Sequence, residues 1–209
     1  MSVMAYIAVS FLVVPLIIIV IINLLSRKTA ERVGIYLAGA CAVIQMAASI
    51  TDFFLLSANH LHEYKFALLW NMEKEGAEHF GVTSLSLVIL FCIGFVSFIS
   101  VLIALRTIDK RKISYVNLLM TLVLGMNGMV IVTDLFSLYV FLEIVGISSF
   151  VLIAMFHSRV DLEGALKYLV MSALASIFIL TGLSFIFIKT GSLQYSQIIQ
   201  DLHGGGDGS

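Results

Sequence analysis

Hydrophobic residues run along this chain in long segments, and short polar stretches separate them. Six segments are uncharged or nearly so and reach about the 20 residues that a helix needs to cross the hydrocarbon core of a bilayer. These segments cover about residues 3–25, 33–51, 80–105, 113–133, 135–156 and 164–188. The pattern predicts an all-α, polytopic integral membrane protein with about six transmembrane helices.

The composition agrees with this fold class and narrows the chemistry. The 209 residues are 60% hydrophobic and 12% charged, whereas about a quarter of the residues of a soluble domain are charged. The formal net charge of −1 gives no electrostatic basis for binding nucleic acid. Cys41 and Cys92 are interpreted as small buried hydrophobic residues, and the scattered histidines predict no metal site. We expect no cofactor, because no ligand set for a flavin, a haem or an iron–sulfur cluster is evident.

The charges between the segments predict the orientation in the membrane. The first loop, "SRKTAER", and the third, "RTIDKRK", are basic, whereas the second, "NHLHEYKFALLWNMEKEGAEHF", has two lysines against four glutamates. The positive-inside rule then places loops one and three in the cytoplasm and the N-terminus outside the cell membrane. We expect the second loop to lie on the outer surface as an amphipathic segment, and residues 200–209 to form a flexible tail.

One carboxylate interrupts the fifth segment, "DLFSLYVFLEIVGISSFVLIAMF". Asp134 occupies the position of a helix N-cap, and Glu143 then lies about 12–14 Å along the helix, near mid-membrane. Ionisable residues at that depth are costly and usually functional. Burial favours the neutral acid and a nearby cation favours the carboxylate, so Glu143 is a candidate for binding and releasing protons. The alternative is a static hydrogen bond to a neighbouring helix.

The sixth segment carries a second candidate group near its cytoplasmic start. Lys167 follows Glu163 by four residues on the same face, which is typical of an interfacial ion pair with the lysine reaching the headgroups. The same spacing also suits a relay that biases protons bound at Glu143, and the spacing leaves both interpretations open. Helical rise places Lys167 too far from Glu143 for a direct bond. In helix four, Asn127 is interpreted as a packing or hydrogen-bonding residue between Gly125 and Gly128, which permit close approach or hydration.

These residues resemble a known family. "TDLFSLYVFLEIVGISSFVLIAM" followed by "LEGALKYLVMSALASIFILTGLSFIFIKTGSLQYSQI" is similar to the antiporter-like subunits of respiratory complex I, especially the N-type subunit. It is also similar to the D-type subunit of Mrp cation/proton antiporters and to membrane-arm subunits of energy-converting hydrogenases. The resemblance covers residues 112–199, with three leading helices in residues 1–111.

The resemblance implies roles for two residues. Glu143 matches the family's helix-five glutamate, the acidic partner in proton translocation, and Lys167 matches a helix-six lysine on the family's hydrophilic axis. Asp134 matches a frequent polar position and receives no transport role. Family members continue to about fourteen helices built around two inverted repeats, whereas this sequence ends after its sixth. We therefore expect a shortened or split member whose remaining helices come from other membrane subunits.

The expected function is that of a proton-translocating subunit in a complex that couples ion movement to redox chemistry or to cation exchange. Any redox chemistry would belong to partner subunits with iron–sulfur clusters, since the chain shows no catalytic arrangement of its own. Two alternatives remain: a non-transporting structural or assembly subunit of such a complex, and an Mrp-type Na⁺/H⁺ antiporter subunit without redox partners.

Overall fold

A computed structural model describes residues 3–58, 63–66, 80–108, 111–155 and 159–204, and nearly all of these residues are helical. The described residues form seven helices: α1 (Val3–Leu24), α2 (Arg27–Ala58), α3 (Ser84–Thr107), α4 (Lys112–Ile131), α5 (Leu135–Ala154), α6 (Arg159–Thr190) and α7 (Tyr195–Gly204). Within them, α2 to α6 are long and apolar enough to cross a membrane, and α1 contains a shorter apolar helix, Val9–Leu24. The predicted all-α membrane fold is confirmed.

The second helix is longer at both ends than its apolar segment predicted. Residues 27–32, which the hydropathy pattern assigned to the first loop, form the first turns of α2, and the helix continues to Ala58. Hydropathy records only the part of a helix that contacts hydrocarbon, whereas backbone hydrogen bonds continue into the headgroup region. The extension matters because it places Asp52 inside the helix.

The second loop contributes two short β-strands that pair with each other. Strand β1 (Glu63–Phe66) pairs antiparallel with β2 (Phe80–Thr83), in a register that places Glu63 opposite Thr83. Phe80, predicted to begin the third span, therefore lies in a strand, and its backbone bridges to Val132. Thr83 then caps α3 by accepting a hydrogen bond from the backbone N–H of Ser86 at 3.2 Å. Trp70 of the predicted amphipathic segment lies outside the described residues.

Helix α4 is the centre of the bundle. It packs against α1, α2, α3 and α5, whereas α6 packs against α5 and α7. One buried cluster contains residues of all four helices from α1 to α4, such as Ile22, Ala38, Val101 and Met120. A second cluster, which includes Leu56, Leu90 and Ile131, lies next to β2. The order of packing therefore places α5 between a well-buried four-helix core and the peripheral helix α6.

Helix α7 is anchored to the start of α5 by the backbone. The N–H of Tyr195 donates to the carbonyl of Thr133 at 3.2 Å, and the N–H of Leu135 donates to the carbonyl of Leu193 at 3.0 Å. The helix extends to Gly204, so it includes the first five residues of the segment 200–209 that the sequence predicted as a flexible tail. The last five lie outside the described residues.

Candidate functional site

Glu143 lies near the middle of α5, nine residues after the N-cap residue Asp134. Its Oε1 atom accepts a hydrogen bond from the hydroxyl of Ser176 on α6. The glutamate and the serine are each half-buried. Nine residues correspond to about 13–14 Å along a helix, so the carboxyl belongs to the apolar interior of the span. A carboxyl in that position can hold a proton or accept a hydrogen bond, and Ser176 supplies the donor.

Small residues bring α6 close enough for this contact. A Cβ atom added to Gly146 on α5 would lie 3.3 Å from the Oγ atom of Ser172 on α6. Ser172 lies one turn before Ser176, and Gly146 lies one turn after Glu143. The two contacts therefore describe antiparallel helices in close approach, which is the packing that small residues permit in membranes.

On its other side, α5 packs closely against two glycines of α4. A Cβ atom at Gly128 would lie 2.3 Å from the Cδ1 and Cε1 atoms of Phe141, and one at Gly125 would lie 2.7 Å from Cγ2 of Val145. Both distances are far below a normal carbon contact of about 3.5–4.0 Å. The close approach that the sequence predicted for these glycines is present, and it fixes the position of Phe141, two residues before Glu143.

Lys167 is paired with Glu163 and does not contact Glu143. The Nζ atom of Lys167 lies 2.6 Å from Oε1 of Glu163, and the two side chains are 74% and 66% exposed. Ser176, the contact of Glu143, lies nine residues further along α6, or about 13–14 Å. The structure thus contains the ion pair that the spacing predicted, on a face of α6 that no described helix covers.

Asp134 caps α5. Its Oδ1 atom accepts a hydrogen bond from the backbone N–H of Ser137 at 2.7 Å, and its extended backbone is that of an N-cap. The carboxylate also acts on Tyr195 in α7: burial raises the pKa of the Tyr195 phenol, and the Asp134 charge raises it further. The capping interpretation made from the sequence agrees with this geometry.

Asn127 belongs to a buried amide pair that ties four helices together. Its side chain is 0% exposed and that of Gln45 on α2 is 4% exposed. Nε2 of Gln45 donates to Oδ1 of Asn127 at 2.9 Å, and Nδ2 of Asn127 donates to Oε1 of Gln45 at 3.1 Å. The same two amide groups donate to the carbonyls of Leu90 on α3 at 3.0 Å and Phe11 on α1 at 2.8 Å. Asn127 is therefore a hydrogen-bonding residue of the core, on the side of α4 that faces away from α5.

Sequence reasoning missed a buried acid on α2. Asp52 is 0% exposed, and Ser49 and Gln45 lie beneath it on the same helix and are also buried. The three residues recur at i, i+4 and i+7, which places them on one face of the helix. That spacing was visible in the sequence, but the predicted span ended at residue 51 and left Asp52 outside it.

The structure shows no metal centre in the part of the chain that it describes. Within residues 3–58, 63–66, 80–108, 111–155 and 159–204, no group of three or more His, Cys, Asp or Glu side chains converges. The α5–α6 contact presents a carboxyl group and a hydroxyl group, with an ion pair about 13–14 Å away along α6.

Part of the chain is similar to known proteins. Residues 132–207 match the family described as NADH:quinone oxidoreductase/Mrp antiporter, TM. The chain is 32% identical over 90 residues to the D-type subunit of the Na(+)/H(+) antiporter of Alkalihalophilus pseudofirmus, which is 43% of this chain and 18% of that protein. It is 42% identical over 95 residues to the N-type subunit of the NADH-quinone oxidoreductase of Ruthia magnifica subsp. Calyptogena magnifica, which is 45% of this chain and 20% of that protein.

The fold has a counterpart among solved structures. A chain of the membrane-bound sulfane sulfur reductase, described as an archaeal respiratory membrane complex, matches with a TM-score of 0.76 and 22% sequence identity. The match covers 91% of this chain and 39% of that chain. The likeness therefore extends well beyond residues 132–207, the segment that the family model matches.

The fold defines the class: a multi-pass α-helical membrane protein. Within that class, the resemblance of this chain to the antiporter-like subunits of complex I and of Mrp antiporters is confirmed. The chain spans about a fifth of the length of the curated relatives described above, at 18% and 20%.

Proposed function

We propose that this chain is a proton-translocating, antiporter-like subunit of a multi-subunit membrane complex. The observation that carries the proposal is the Glu143 carboxyl, which lies midway along an apolar span and accepts a hydrogen bond from Ser176. A carboxyl in hydrocarbon is costly unless it is used or paired. One neutral hydroxyl can hold it in place without neutralising it, so both protonation states have a hydrogen-bonding partner.

Lys167 acts on this carboxyl through its charge, without direct contact. In the structure its ammonium is paired with Glu163 at 2.6 Å. Breaking or forming that pair changes the positive field along α6, and charges separated by low-dielectric surroundings interact over such distances more strongly than they do in water. Glu163 is thus the group that competes for Lys167, while Asn127 and Asp134 support the site by fixing α4 and capping α5.

Other membrane subunits complete the site. Helix α6 exposes large apolar residues along most of its length, including Met171, Phe178 and Ile188. The Lys167–Glu163 pair is also exposed on this helix. Helices packed there would enclose the pair and the Glu143 carboxyl together. In this arrangement residues 112–199 carry the protonatable groups, and residues 1–111 are leading helices that hold α4 in place.

The complex lies in the cell membrane with the N-terminus of this chain outside. The basic residues at the start of α2 and the end of α3 support this orientation, because both ends lie on the same side of the bundle. Ion movement is coupled either to redox partners with iron–sulfur clusters or to exchange of another cation. One relative is named as a subunit of a Na(+)/H(+) antiporter, which supports coupling to cation exchange. The other is named as a subunit of an NADH-quinone oxidoreductase, which supports coupling to redox chemistry.

Glu143→Gln is the direct test. Glutamine keeps an oxygen that accepts from Ser176 but cannot release a proton, so we expect proton movement to fall by at least about tenfold. The measurement is proton uptake by sealed membrane vesicles that contain the intact complex, with a pH-sensitive dye and with assembly checked on native gels. Glu31→Gln, an exposed carboxylate on α2, is the matched control and should transport normally.

The alternative function is a structural subunit with a static Glu143 contact. It predicts that Ser176→Ala is more damaging than Glu143→Gln. Ser176→Ala removes the hydrogen bond but keeps the carboxyl, so on our proposal it reduces transport less than Glu143→Gln does. If Glu143→Gln transports as well as the wild type while Ser176→Ala loses assembly, the contact is structural and the transport proposal is wrong.

A further inference from the structure

Helices α2 and α3 approach each other closely near Gly94. A Cβ atom at Gly94 on α3 would lie 3.0 Å from Cγ of Met46 and 3.2 Å from the carbonyl oxygen of Ala42, both on α2. On either side of this contact, the surface between the two helices forms a groove. Each groove opens on the outer surface of the bundle, within the apolar spans.

The groove on the side of the basic helix ends has a volume of about 430 Å³. Its walls are almost wholly apolar and include Tyr36, Ala40, Val43, Phe98, Leu102 and Leu105. This volume falls in the range of about 300–1,000 Å³ typical of small-molecule sites. An apolar groove that opens into hydrocarbon suits a hydrocarbon chain that lies along it.

Two arginines lie at the end of this groove where a headgroup would be. Arg32 precedes Tyr36 by four residues on α2, and Arg106 follows Leu102 by four residues on α3, so each shares a helix face with a wall of the groove. Both arginines are exposed. The nearby carboxylate of Glu31 is paired with Arg27 at 3.4 Å, so that carboxylate already has a cationic partner of its own.

The second groove provides an internal comparison. It has a volume of about 330 Å³ and is lined by residues of the outer halves of α2 and α3, among them Phe53, Leu87 and Phe91. The sequence of these halves, residues 45–58 of α2 and 84–91 of α3, contains no lysine or arginine. Apolar walls are thus common to both grooves. Within α2 and α3, the positively charged residues are found beside the first groove alone.

We propose that the groove between Tyr36 and Leu105 is a binding site for an anionic phospholipid of the leaflet on the basic side of the bundle. One acyl chain occupies the groove, and the phosphate is bound by Arg32 and Arg106. Arginine suits this role because its planar guanidinium presents several donors to phosphate oxygens, and basic pockets between transmembrane helices on this side of a membrane select anionic headgroups. The exposed Tyr36 ring lies one turn deeper, at a level typical of interfacial aromatic residues.

The test is native mass spectrometry of the full chain, extracted in mild detergent with the subunits that accompany it and titrated with phosphatidylglycerol or phosphatidylcholine. We expect tighter binding of phosphatidylglycerol. Arg32→Gln and Arg106→Gln should each weaken that binding about fivefold, and together about thirtyfold. Arg159→Gln is the matched control, because this exposed arginine begins α6, away from the groove, and its removal changes the net charge equally.

A second pair of variants tests the groove without changing any charge. Gly39 lines the groove, so Gly39→Leu fills it and should reduce binding of both lipids. Gly182→Leu adds the same side chain where a Cβ meets nothing within 4 Å and should leave binding unchanged. Equal binding of the two lipids, equal effects of Arg32→Gln and Arg159→Gln, or no retained lipid because a protein helix covers the groove would each overturn the proposal.

Discussion

Gly128→Ala should separate α4 from α5 and thereby displace the helix that carries Glu143. The added Cβ would lie 2.3 Å from two ring atoms of Phe141 and 2.5 Å from a third. Normal carbon contacts are about 3.5–4.0 Å, so one partner has to move by more than about 1 Å. The overlap is with the near edge of an aromatic ring, which cannot bend out of the way as the tip of a flexible side chain can.

The amide pair decides which helix moves. Asn127 precedes Gly128 and is held by Gln45 at 2.9 Å and by the carbonyl of Phe11 at 2.8 Å. Moving α4 would break these buried hydrogen bonds, so the displacement falls on Phe141 and α5. Overpacking of this kind costs about 1–3 kcal/mol, and a shift of α5 also stretches the contact between Glu143 and Ser176.

The assay is equilibrium unfolding in mixed micelles titrated with sodium dodecyl sulfate, followed by helical circular dichroism. We expect the free energy of unfolding of Gly128→Ala to fall by about 1–3 kcal/mol. Gly182→Ala is the control, because its Cβ meets nothing within 4 Å, and it should not destabilise. Phe141→Leu in the Gly128→Ala background removes the ring and should restore part of the loss. If Gly128→Ala and Gly182→Ala are equally stable, the contact between Phe141 and Gly128 does not hold α5 in place.

Substitutions at Asn127 and at Asp134 test the contacts that hold α4 and α5 in place, by the same unfolding titration. Asn127→Leu should destabilise the protein by about 1–3 kcal/mol, because it leaves the Gln45 amide and the Phe11 carbonyl without their partner. Adding Gln45→Leu should recover part of that loss, and strictly additive effects would contradict the pairing. Asp134→Ala should cost about 1 kcal/mol through loss of the α5 cap, whereas Asp134→Asn, which keeps an accepting oxygen, should cost much less. Equal costs for the two would indicate that the charge of Asp134 matters more than its cap.

The sequence predicted the local features of the candidate site. Glu143 is conspicuous as a lone carboxylate within an apolar segment, and Asp134 is recognisable as a cap because an N-cap depends only on residues within one turn of it. The Lys167–Glu163 pair follows from i,i+4 spacing in the same way. The hydrogen bond from Ser176 could not be predicted, because it joins residues 33 positions apart and depends on the rotation of α6 about its axis.

What the sequence determined by itself is the type and approximate extent of the apolar helices, because the bilayer acts as a solvent that requires about 20 apolar residues for each crossing. Family resemblance added the expected chemistry of Glu143. Only the tertiary structure decided which faces meet: the pairing of Gln45 with Asn127, 82 residues away, the burial of Asp52, and the fit of Phe141 against Gly128. Hydropathy is the same all round an apolar helix, so it carries no information about rotation. Close packing and buried hydrogen bonds select one rotation for each helix, and that selection places the carboxyl of Glu143 opposite the hydroxyl of Ser176.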